Sequence, residues 1–317
     1  MSRLFRDVEG PTRCPLGSVI CIGAFDGLHL GHQALVRHAV GRARALGVPA
    51  VALSFEPLPR EFFAPNDPPP RLQSAREKVE GLWALGADQV GLLRFDARLS
   101  AMDAATFVRR VLVERLGARE VWVGPGFRFG KGRGGDLALL QALGRELGFV
   151  AGEIAPVALD GERVSSSAIR AALADGDFAR AARLLGRPYA IARRVGYGRQ
   201  LGRRLGYPTA NLAFHGKRPA LTGIFATWVY GVGEAPWPSV SSLGTRPTVY
   251  GVEPLLEAHL LDFAGHLYGQ RLRVEFVARL RDERRFPDLP SLVAQMDRDA
   301  AQARALLTQA QQERVTA

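Results

Sequence analysis

Short apolar, β-branched runs alternate with longer amphipathic stretches along the first 186 residues of the chain. The runs predict strands at Ser18 to Gly23, Ala50 to Phe55, Gln89 to Leu93, Glu120 to Val123 and Val150 to Ile154. The stretches between them predict helices, for example at Gln33 to Leu46, Ser74 to Leu85, Ala104 to Leu116 and Leu137 to Leu147. Strands that alternate with helices are typical of βαβ units, so this half is predicted to be an α/β domain with a parallel sheet.

The pattern changes after Gly186, where glycine and proline become dense and short alternating runs replace the helical stretches. These runs predict a small antiparallel β-barrel with strands at Tyr189 to Val195, Ile224 to Tyr230, Ser239 to Leu243, Leu255 to Leu261 and Leu272 to Phe276. A closing helix is expected from about Leu289. Its apolar stripe predicts packing against the barrel, through Leu292, Val293, Met296, Ala300 and Leu307. The change of pattern divides the chain into domains of residues 1–186 and 187–317.

Composition supports two globular domains and narrows the expected partners. The chain has 317 residues, of which 47% are hydrophobic, and this is enough for two ordinary cores. Its formal net charge of +11 comes from arginines scattered along the chain, and the only lysines are Lys78, Lys131 and Lys217. Because no basic block is present, nucleic acid is not an expected partner, and scattered arginine suits small phosphate-bearing molecules.

Cysteine content and hydropathy favour the cytoplasm. Cys14 and Cys21 form neither a disulfide framework nor a set of metal ligands. The first ten residues carry no apolar stretch of the kind that a secretory signal needs, and no run approaches membrane-spanning length. We expect a cytoplasmic protein with no membrane partner.

The segment from Gly23 to His32 lies where the first predicted strand ends and the first helix begins. Open α/β sheets bind ligands at this end of their strands. His29 and His32 share one helix face, Gly31 lets a phosphate approach the backbone, and the helix start offers unpaired amides. The arrangement suits a polyphosphate. A surface pair of histidines is the alternative, whereas zinc lacks support because no other histidine shows ligand spacing with the pair.

Ser165 to Arg170 begin another helix after the last predicted strand of this half. Serine is a favoured N-cap whatever the function, but its hydroxyls and the free amides also suit oxyanions. Arg170 adds a planar positive group one turn along the helix. The two helix starts together predict one phosphate site.

Two groups of polar residues stand out in the second half. Thr209 and Asn211 point to the same side of a predicted strand, where they are either turn residues or oxygen ligands for Mg²⁺. Glu257 and His259 also share one strand face, which is either solvent-exposed or catalytic.

These segments resemble the histidine-motif nucleotidylyltransferases, and among them the bifunctional bacterial riboflavin kinase and FMN adenylyltransferase family, also called FAD synthetases. The resemblance runs nearly end to end and follows the family order at Gly23 to Gln33, Phe55 to Phe63, Phe127 to Gly130 with Asp136, Ser165 to Arg170, Pro208 to Leu212, Gly244 to Thr248 and Glu257 to Leu260. It implies a Rossmann-like nucleotidylyltransferase domain followed by a riboflavin kinase-like β-barrel with a closing helix.

For the N-terminal domain, the resemblance implies that FMN attacks the α-phosphorus of ATP, which gives FAD and pyrophosphate. His29, His32 and Arg170 would be the catalytic residues. ATP and its phosphates would contact Gly23, Phe25, Gly31, Ser165 and Ser166. Flavin or adenine would contact Arg60, Phe62, Phe63, Phe127, Arg128 and Phe129.

For the C-terminal domain, the resemblance implies that riboflavin is phosphorylated by ATP. Glu257 would be the general base that takes the proton of the riboflavin 5′-hydroxyl. Thr209 and Asn211 would hold Mg²⁺, and Gly198 to Arg203 would be a loop over the phosphates. Riboflavin, FMN, FAD and ATP are the expected small-molecule partners of a monomer or weak homo-oligomer.

The sequence departs from the family pattern at two positions. Gly126 replaces the usual Asp or Asn before Phe127, and Ser242 replaces the usual Asn before the Gly244 segment. The first change leaves an alternative function open, namely a riboflavin kinase whose adenylyltransferase module is weak or acts on another phosphorylated substrate. A barrel that binds nucleic acid is the non-enzymatic alternative.

Overall fold

A computed structural model describes residues 3–198, 206–214, 216–248 and 251–316 of the chain. Contacts within it define two compact units. The N-terminal unit comprises Met1–Pro69 and Gln73–Ser166, and the C-terminal unit comprises Pro70–Leu72 and Ser167–Ala317. The division of function at residue 186 remains a prediction from the sequence.

The N-terminal unit is built on a six-stranded parallel sheet. Its strands in chain order are β1 (Leu4–Phe5), β2 (Ser18–Ile22), β3 (Ala50–Glu56), β4 (Gln89–Arg94), β5 (Ala118–Val123) and β6 (Val150–Glu153). They are arranged in the order β1, β4, β3, β2, β5, β6. A two-stranded hairpin of β7 (Ala158–Leu159) and β8 (Glu162–Arg163) follows. The predicted parallel sheet is confirmed.

Helices cover both faces of this sheet. They are α1 (Leu30–Leu46), α2 (Pro59–Phe63), α3 (Ala75–Ala84), α4 (Ala97–Ala101), α5 (Ala104–Phe107) and α6 (Leu137–Leu147). Successive residues of β2 point to opposite faces, so Val19 packs with α1 and α3 whereas Ile20 packs with α5 and α6. Burial on both faces explains why the strands appear in the sequence as continuous apolar runs.

Capping residues set the limits of several helices. Ser74 caps α3 in a capping box with Glu77, and Asp136 caps α6 by accepting a hydrogen bond from the Leu139 backbone N–H at 3.0 Å. Helix α1 ends at Gly47, whose φ of 66° is left-handed. The predicted helix at Ala104 to Leu116 is irregular, because α5 continues as a π-helix over Val108–Arg115.

The C-terminal unit contains a six-stranded antiparallel sheet. Its strands are β9 (Ala190–Arg194), β10 (Ala210–Ala213), β11 (Gly223–Tyr230), β12 (Trp237–Thr248), β13 (Gly251–Leu260) and β14 (Arg271–Arg281). They lie in the order β10, β13, β12, β11, β14, β9. A further bridge between Gly196 and Asn211 brings the two edges together, so the sheet is a nearly closed barrel as predicted.

Helices flank this barrel: α7 (Ser166–Asp175), α8 (Phe178–Leu185) and α9 (Leu289–Thr316). Leu307 and Ala303 of α9 are buried against Ala226 and Trp228 of β11, which confirms that this helix packs on the barrel. None of the helices in the described ranges is both long and apolar enough to span a bilayer.

Candidate active sites

A cleft opens at the carboxyl ends of β2 and β5 in the N-terminal unit. The chain continues from β2 to β3 and β4 on one side of the sheet, whereas β5 and β6 lie on the other side. The cleft therefore lies at the topological switch point, where open α/β sheets bind ligands. Its volume is about 230 Å³, and its walls include Gly23, His29 and His32 from one side and Gly124 and Phe127 from the other.

His29 and His32 face each other at the start of α1. His29 is the N-cap residue, and its Nδ1 accepts a hydrogen bond from the His32 backbone N–H at 3.2 Å. Their rings stack with centroids 3.6 Å apart. A Cβ at Gly31 would lie 3.2 Å from the His29 ring, so glycine leaves room for this packing. The structure brings both predicted histidines into one wall of the cleft.

The environment of His32 favours its neutral form. Burial lowers the pKa of His32 well below its ordinary value, and the neighbouring His29 and Lys78 lower it further. The buried Nδ1 of His32 has no hydrogen-bond partner among the described residues. The ring therefore retains hydrogen-bonding capacity that the surrounding protein does not satisfy.

The loop between β2 and α1 has a strained backbone. Phe25 and Leu28 are buried and have φ values of 48° and 45°, in the left-handed region that side chains disfavour. The Phe25 carbonyl accepts a hydrogen bond from Gln73 Nε2 at 2.6 Å, and the Ala24 carbonyl accepts one from Ser54 Oγ at 3.1 Å. Packing and hydrogen bonds hold this conformation, as is common in loops that bind ligands.

The serine-rich segment that begins at Ser165 contacts the same loop. Ser165 lies in the cleft wall with the two histidines. Ser166 Oγ donates a hydrogen bond to the Asp26 carbonyl at 2.9 Å, and both residues belong to the N-terminal unit. Arg170 lies one turn along α7, and its Nε donates to the Pro70 carbonyl at 2.7 Å. Its predicted contact with phosphate remains a prediction.

A larger aromatic cleft shares Phe127 with the first cleft. Its volume is about 1000 Å³, which is sufficient for a cofactor-sized ligand. Five of the predicted flavin contacts line it: Arg60, Phe63, Phe127, Arg128 and Phe129. Phe62 is absent from this lining and packs on Phe95 with ring centroids 5.4 Å apart, whereas the neighbouring Phe63 is exposed in the cleft wall.

Gly126 precedes the shared Phe127 in a left-handed conformation. Its φ is 72°, and no described atom lies within 4 Å of the place that a Cβ would occupy. The Gly126 backbone N–H donates a hydrogen bond to Glu153 Oε2 at 3.0 Å. Asparagine tolerates this backbone region well. Lack of space therefore does not explain why glycine replaces the usual Asp or Asn at position 126.

Thr209, Asn211 and Glu257 converge on one face of the barrel. Asn211 of β10 lies directly opposite Glu257 of β13. Thr209 Oγ1 donates a hydrogen bond to Glu257 Oε1 at 3.2 Å, and Asn211 Nδ2 donates to the Thr209 carbonyl at 3.1 Å. Asn211 Oδ1 is buried and has no hydrogen-bond partner within the described ranges. The structure thus brings together the residues predicted to serve the kinase reaction.

A cleft of about 350 Å³ adjoins this group. Thr209 and Asn211 line it together with Phe263 and Tyr268. Gly198 approaches so closely that a Cβ there would lie 2.6 Å from the Asn211 amide group. Arg203, which is also predicted to contact ATP, lies outside the described residues.

His259 supports the segment that carries Thr209. Its Nδ1 lies 2.9 Å from the Pro208 carbonyl, and its ring lies 4.8 Å from that of Tyr207. Burial lowers the pKa of His259. The Tyr207 hydroxyl donates a hydrogen bond to Asp297, and burial together with that carboxylate raises the pKa of Tyr207 to about 12.

Two ionisable residues near these sites were not predicted from the sequence. Lys78 is fully buried on α3 beside Val79 and Leu82, and the only signal for it is a lysine at an apolar position of the helix. Glu283 follows β14, and its carboxylate lies against Gly244. Burial and the charge of Glu257 raise the pKa of Glu283, but no periodicity in the sequence indicates this proximity.

Sequence comparison relates the two halves to two families. Residues 12–168 match the family model for FAD synthetase, and residues 185–307 match that for riboflavin kinase. The bifunctional riboflavin kinase/FMN adenylyltransferase of Escherichia coli K12 is 43% identical over 303 residues, which cover 95% of this chain and 97% of that protein. The enzyme of the same name from Pseudomonas fluorescens is 47% identical over 291 residues, with 92% and 93% coverage.

Structural comparison finds a solved protein that matches nearly the whole chain. A crystal structure titled macrolide-efflux protein from Streptococcus pneumoniae matches with a TM-score of 0.76 and 26% identity. The match covers 95% of this chain and 98% of the other.

Proposed function

This chain belongs to the family of bifunctional riboflavin kinase/FMN adenylyltransferases, and on that basis we propose how its two sites divide the chemistry. It is an ATP-dependent transferase that phosphorylates riboflavin to FMN and adenylylates FMN to FAD. We assign adenylyl transfer to the cleft of His29 and His32 and phosphorylation to the barrel face of Glu257. The assignment rests on the position of each site within the corresponding family match.

In the adenylyl transfer, an oxygen of the FMN phosphate attacks the α-phosphorus of ATP. The bond between this phosphorus and the oxygen that bridges to the β-phosphate breaks, and pyrophosphate leaves with the bonding electrons. His29 and His32 stabilise the charge on the α-phosphate and the leaving group, with His32 acting as a neutral hydrogen-bond donor. Positioning supplies the rest of the rate enhancement, and no protein nucleophile is required.

We place the substrates of this reaction in the two clefts that share Phe127. ATP phosphates lie against the cleft of the stacked histidines, where the proposed contacts are Gly23, Phe25, Gly31, Ser165, Ser166 and Arg170. The flavin ring lies in the aromatic cleft, where the proposed contacts are Arg60, Phe63, Phe127, Arg128 and Phe129. Phe62, which the sequence also predicted as a flavin contact, packs on Phe95 and is absent from this lining. Phe127 lines both clefts, which supports a flavin phosphate that reaches the α-phosphorus.

In the phosphorylation, Glu257 removes the proton of the riboflavin 5′-hydroxyl as this oxygen attacks the γ-phosphorus of ATP. The bond from the γ-phosphorus to the β,γ-bridging oxygen breaks, and ADP leaves. The hydrogen bond from Thr209 orients one oxygen of the Glu257 carboxylate. Gly198 and Arg203 contact the ATP phosphates in this proposal.

Mg²⁺ is the proposed metal of this site. Thr209 Oγ1 and Asn211 Oδ1 are oxygen donors of the kind that Mg²⁺ prefers, and Asn211 Oδ1 has no partner among the described protein groups. The ion would neutralise charge on the ATP phosphates. Thr209 and Asn211 would hold it, while Glu257 remains available for the proton.

We further propose that the enzyme acts in the cytoplasm as a monomer or weak homo-oligomer, without nucleic-acid or membrane partners. The scattered arginines and the absence of a basic block in the sequence support this setting. Size-exclusion chromatography and an RNA mobility-shift assay in physiological salt test it.

The function is tested by incubating the purified chain with riboflavin, ATP and Mg²⁺ and separating the flavins by chromatography. We expect FMN to appear first and FAD to follow. A second incubation supplies FMN and ATP without riboflavin, and FAD must form there if the N-terminal site is active. Accumulation of FMN alone would contradict the N-terminal assignment, and absence of both products would contradict both assignments.

A further inference from the structure

Lys78 is a buried cation in the N-terminal unit. Its relative exposure is 0%, and it lies on the inner face of α3 among apolar residues. Burial of a charged group is costly unless the surrounding protein stabilises it, so lysine is rarely found fully buried. A methionine or leucine would fill the same helix position at lower cost. The contacts of the ammonium group show which part of the unit this charge acts on.

The contacts of Lys78 lead to the histidine loop. Its Nζ donates hydrogen bonds to Ser54 Oγ at 3.3 Å and to the Phe55 carbonyl at 3.4 Å, near the carboxyl end of β3. Ser54 Oγ in turn donates to the Ala24 carbonyl at 3.1 Å. One hydroxyl thus connects the buried ammonium group to the loop that precedes His29.

Close packing keeps α3 against the same loop. Gly81 lies one turn after Lys78 on this helix, and a Cβ at Gly81 would overlap the side chain of Leu28. Leu28 is the residue directly before His29, and its backbone is strained. The ammonium group therefore has a defined position relative to the histidine pair.

The positive charge of Lys78 acts electrostatically on His32. It contributes to the lowered pKa of His32, after burial and the charge of His29. The charged or titratable groups that act on His32 are His29 from the start of α1 and Lys78 from α3, and Arg163 from β8 lines the same cleft. A positive charge that disfavours a protonated imidazole also attracts the negative charge of a polyphosphate at that place.

We propose that Lys78 is a positioning residue for adenylyl transfer, which fixes the histidine loop through Ser54 and supplies buried positive charge behind the ATP phosphates. This role rests on the proposed adenylyl site at His29 and His32. Because Lys78 is fully buried, its charge is screened less by solvent than that of a surface residue.

The first test replaces Lys78 by methionine, which keeps the length and apolar stem but removes the charge. We expect kcat for FAD formation from FMN and ATP to fall about 10-fold or more, as for loss of an electrostatic stabiliser. FMN formation from riboflavin, which takes place in the other unit, must stay unchanged and serves as an internal control. Lys217→Met is the matched control for loss of one lysine.

A pH profile separates this role from simple packing. Without the cation, His32 becomes easier to protonate, so the acidic limb of the pH profile for FAD formation must move to higher pH in Lys78→Met. Ser54→Ala keeps the cation and must retain the native limb. A loss of activity with an unchanged limb, accompanied only by a lower melting temperature, would show a structural role and overturn the proposal.

Two further variants test the charge at position 78 and the adenylyl site separately. If Lys78→Met fails to fold, Lys78→Arg decides the matter, since it must keep the native limb and stay within a few-fold of native FAD formation. A folded, active Lys78→Arg whose limb is displaced as in Lys78→Met would refute the proposal, since the charge is still present. His32→Gln tests the adenylyl site itself. If His32→Gln leaves FAD formation unchanged, the proposed adenylyl site is wrong. If His32→Gln reduces FAD formation but Lys78→Met does not, only the proposed role of Lys78 is refuted.

Discussion

The imidazole rings of His29 and His32 stack at a centroid separation of 3.6 Å with an interplanar angle of 17°. Two protonated rings this close would repel each other, and burial penalises the charge further. The pair can therefore meet a polyphosphate with at least one neutral, hydrogen-bonding ring. This relationship has a consequence for stability as well as for catalysis.

The stability of the N-terminal unit should decrease as the pH falls below about 6.5, the ordinary pKa of histidine. Because the pKa of folded His32 is lower than that value, the unfolded chain binds more protons in this range. The stabilisation that neutral His32 contributes is complete above pH 6.5. It is lost progressively as the pH falls toward the pKa of His32 in the folded chain. Thermal unfolding at pH 7.5, 6.5 and 5.5 measures the effect.

Replacement of His32 by glutamine should flatten this dependence. The exposed His266 provides the control, and His266→Gln should leave the slope as it is in the native chain. A His32→Gln variant with the full native slope would show that His32 is not the group responsible.

Glu257→Gln should abolish most of the kinase reaction and spare the adenylyl transfer. A positioned general base contributes about 10²- to 10⁴-fold, and glutamine keeps the shape and the hydrogen bond from Thr209 while losing the basicity. FMN formation from riboflavin and FAD formation from added FMN are measured separately. Glu253→Gln on the same strand is the control, and near-native FMN production by Glu257→Gln would exclude the base role.

Gly198→Ala should impair the kinase reaction through Asn211. The added Cβ would lie 2.6 Å from the Asn211 amide group, so this side chain must shift from its present position. A displaced ligand-holding group should reduce kcat/KM for ATP about 10-fold or more. Gly196→Ala is the control, because its Cβ would approach no described atom of the barrel more closely than the Asn211 carbonyl oxygen at 4.0 Å. Equal kinetics for the two variants would contradict the placement of Asn211.

Gly126→Asn should accelerate FAD formation. The site has room for the side chain, and asparagine tolerates the φ of 72°. One added hydrogen bond to substrate would be worth about 2- to 10-fold in kcat/KM. Gly126→Ala is the control, since it cannot form that hydrogen bond and should lower the free energy of unfolding by about 1 to 2 kcal/mol. If both variants leave FAD formation unchanged, position 126 lies too far from the substrates to matter.

Much of the architecture was predictable because burial imposes a pattern on the sequence. Strand β2 is buried at every position and apolar from Val19 to Ile22 because both of its faces are covered, and α6 begins and ends where the capping aspartate and glycine place it. The pattern did not predict short elements such as β1 and α2, which bury too few residues to establish a period. Nor did it predict the π-helical continuation of α5, because its apolar spacing resembles that of an ordinary helix.

The candidate sites were predictable where a motif is local. His29 and His32 lie three residues apart on one helix, and Thr209 and Asn211 lie two apart at one strand, so their proximity follows from backbone geometry. Lys78 could not be assigned this way, because its relation to Ser54 and His32 depends on how α3 packs against the sheet.

The sequence by itself determined which half is α/β and which is a barrel, and the order of its short motifs identified the chemistry through their resemblance to a known family. The tertiary structure decided which distant residues share a site. It brought Phe127 to the cleft of His29, Glu257 to Thr209 and a buried ammonium group to the histidine loop. Such proximities arise from the packing of whole elements around a core, and a one-dimensional pattern records burial but not the neighbour against which a residue is buried.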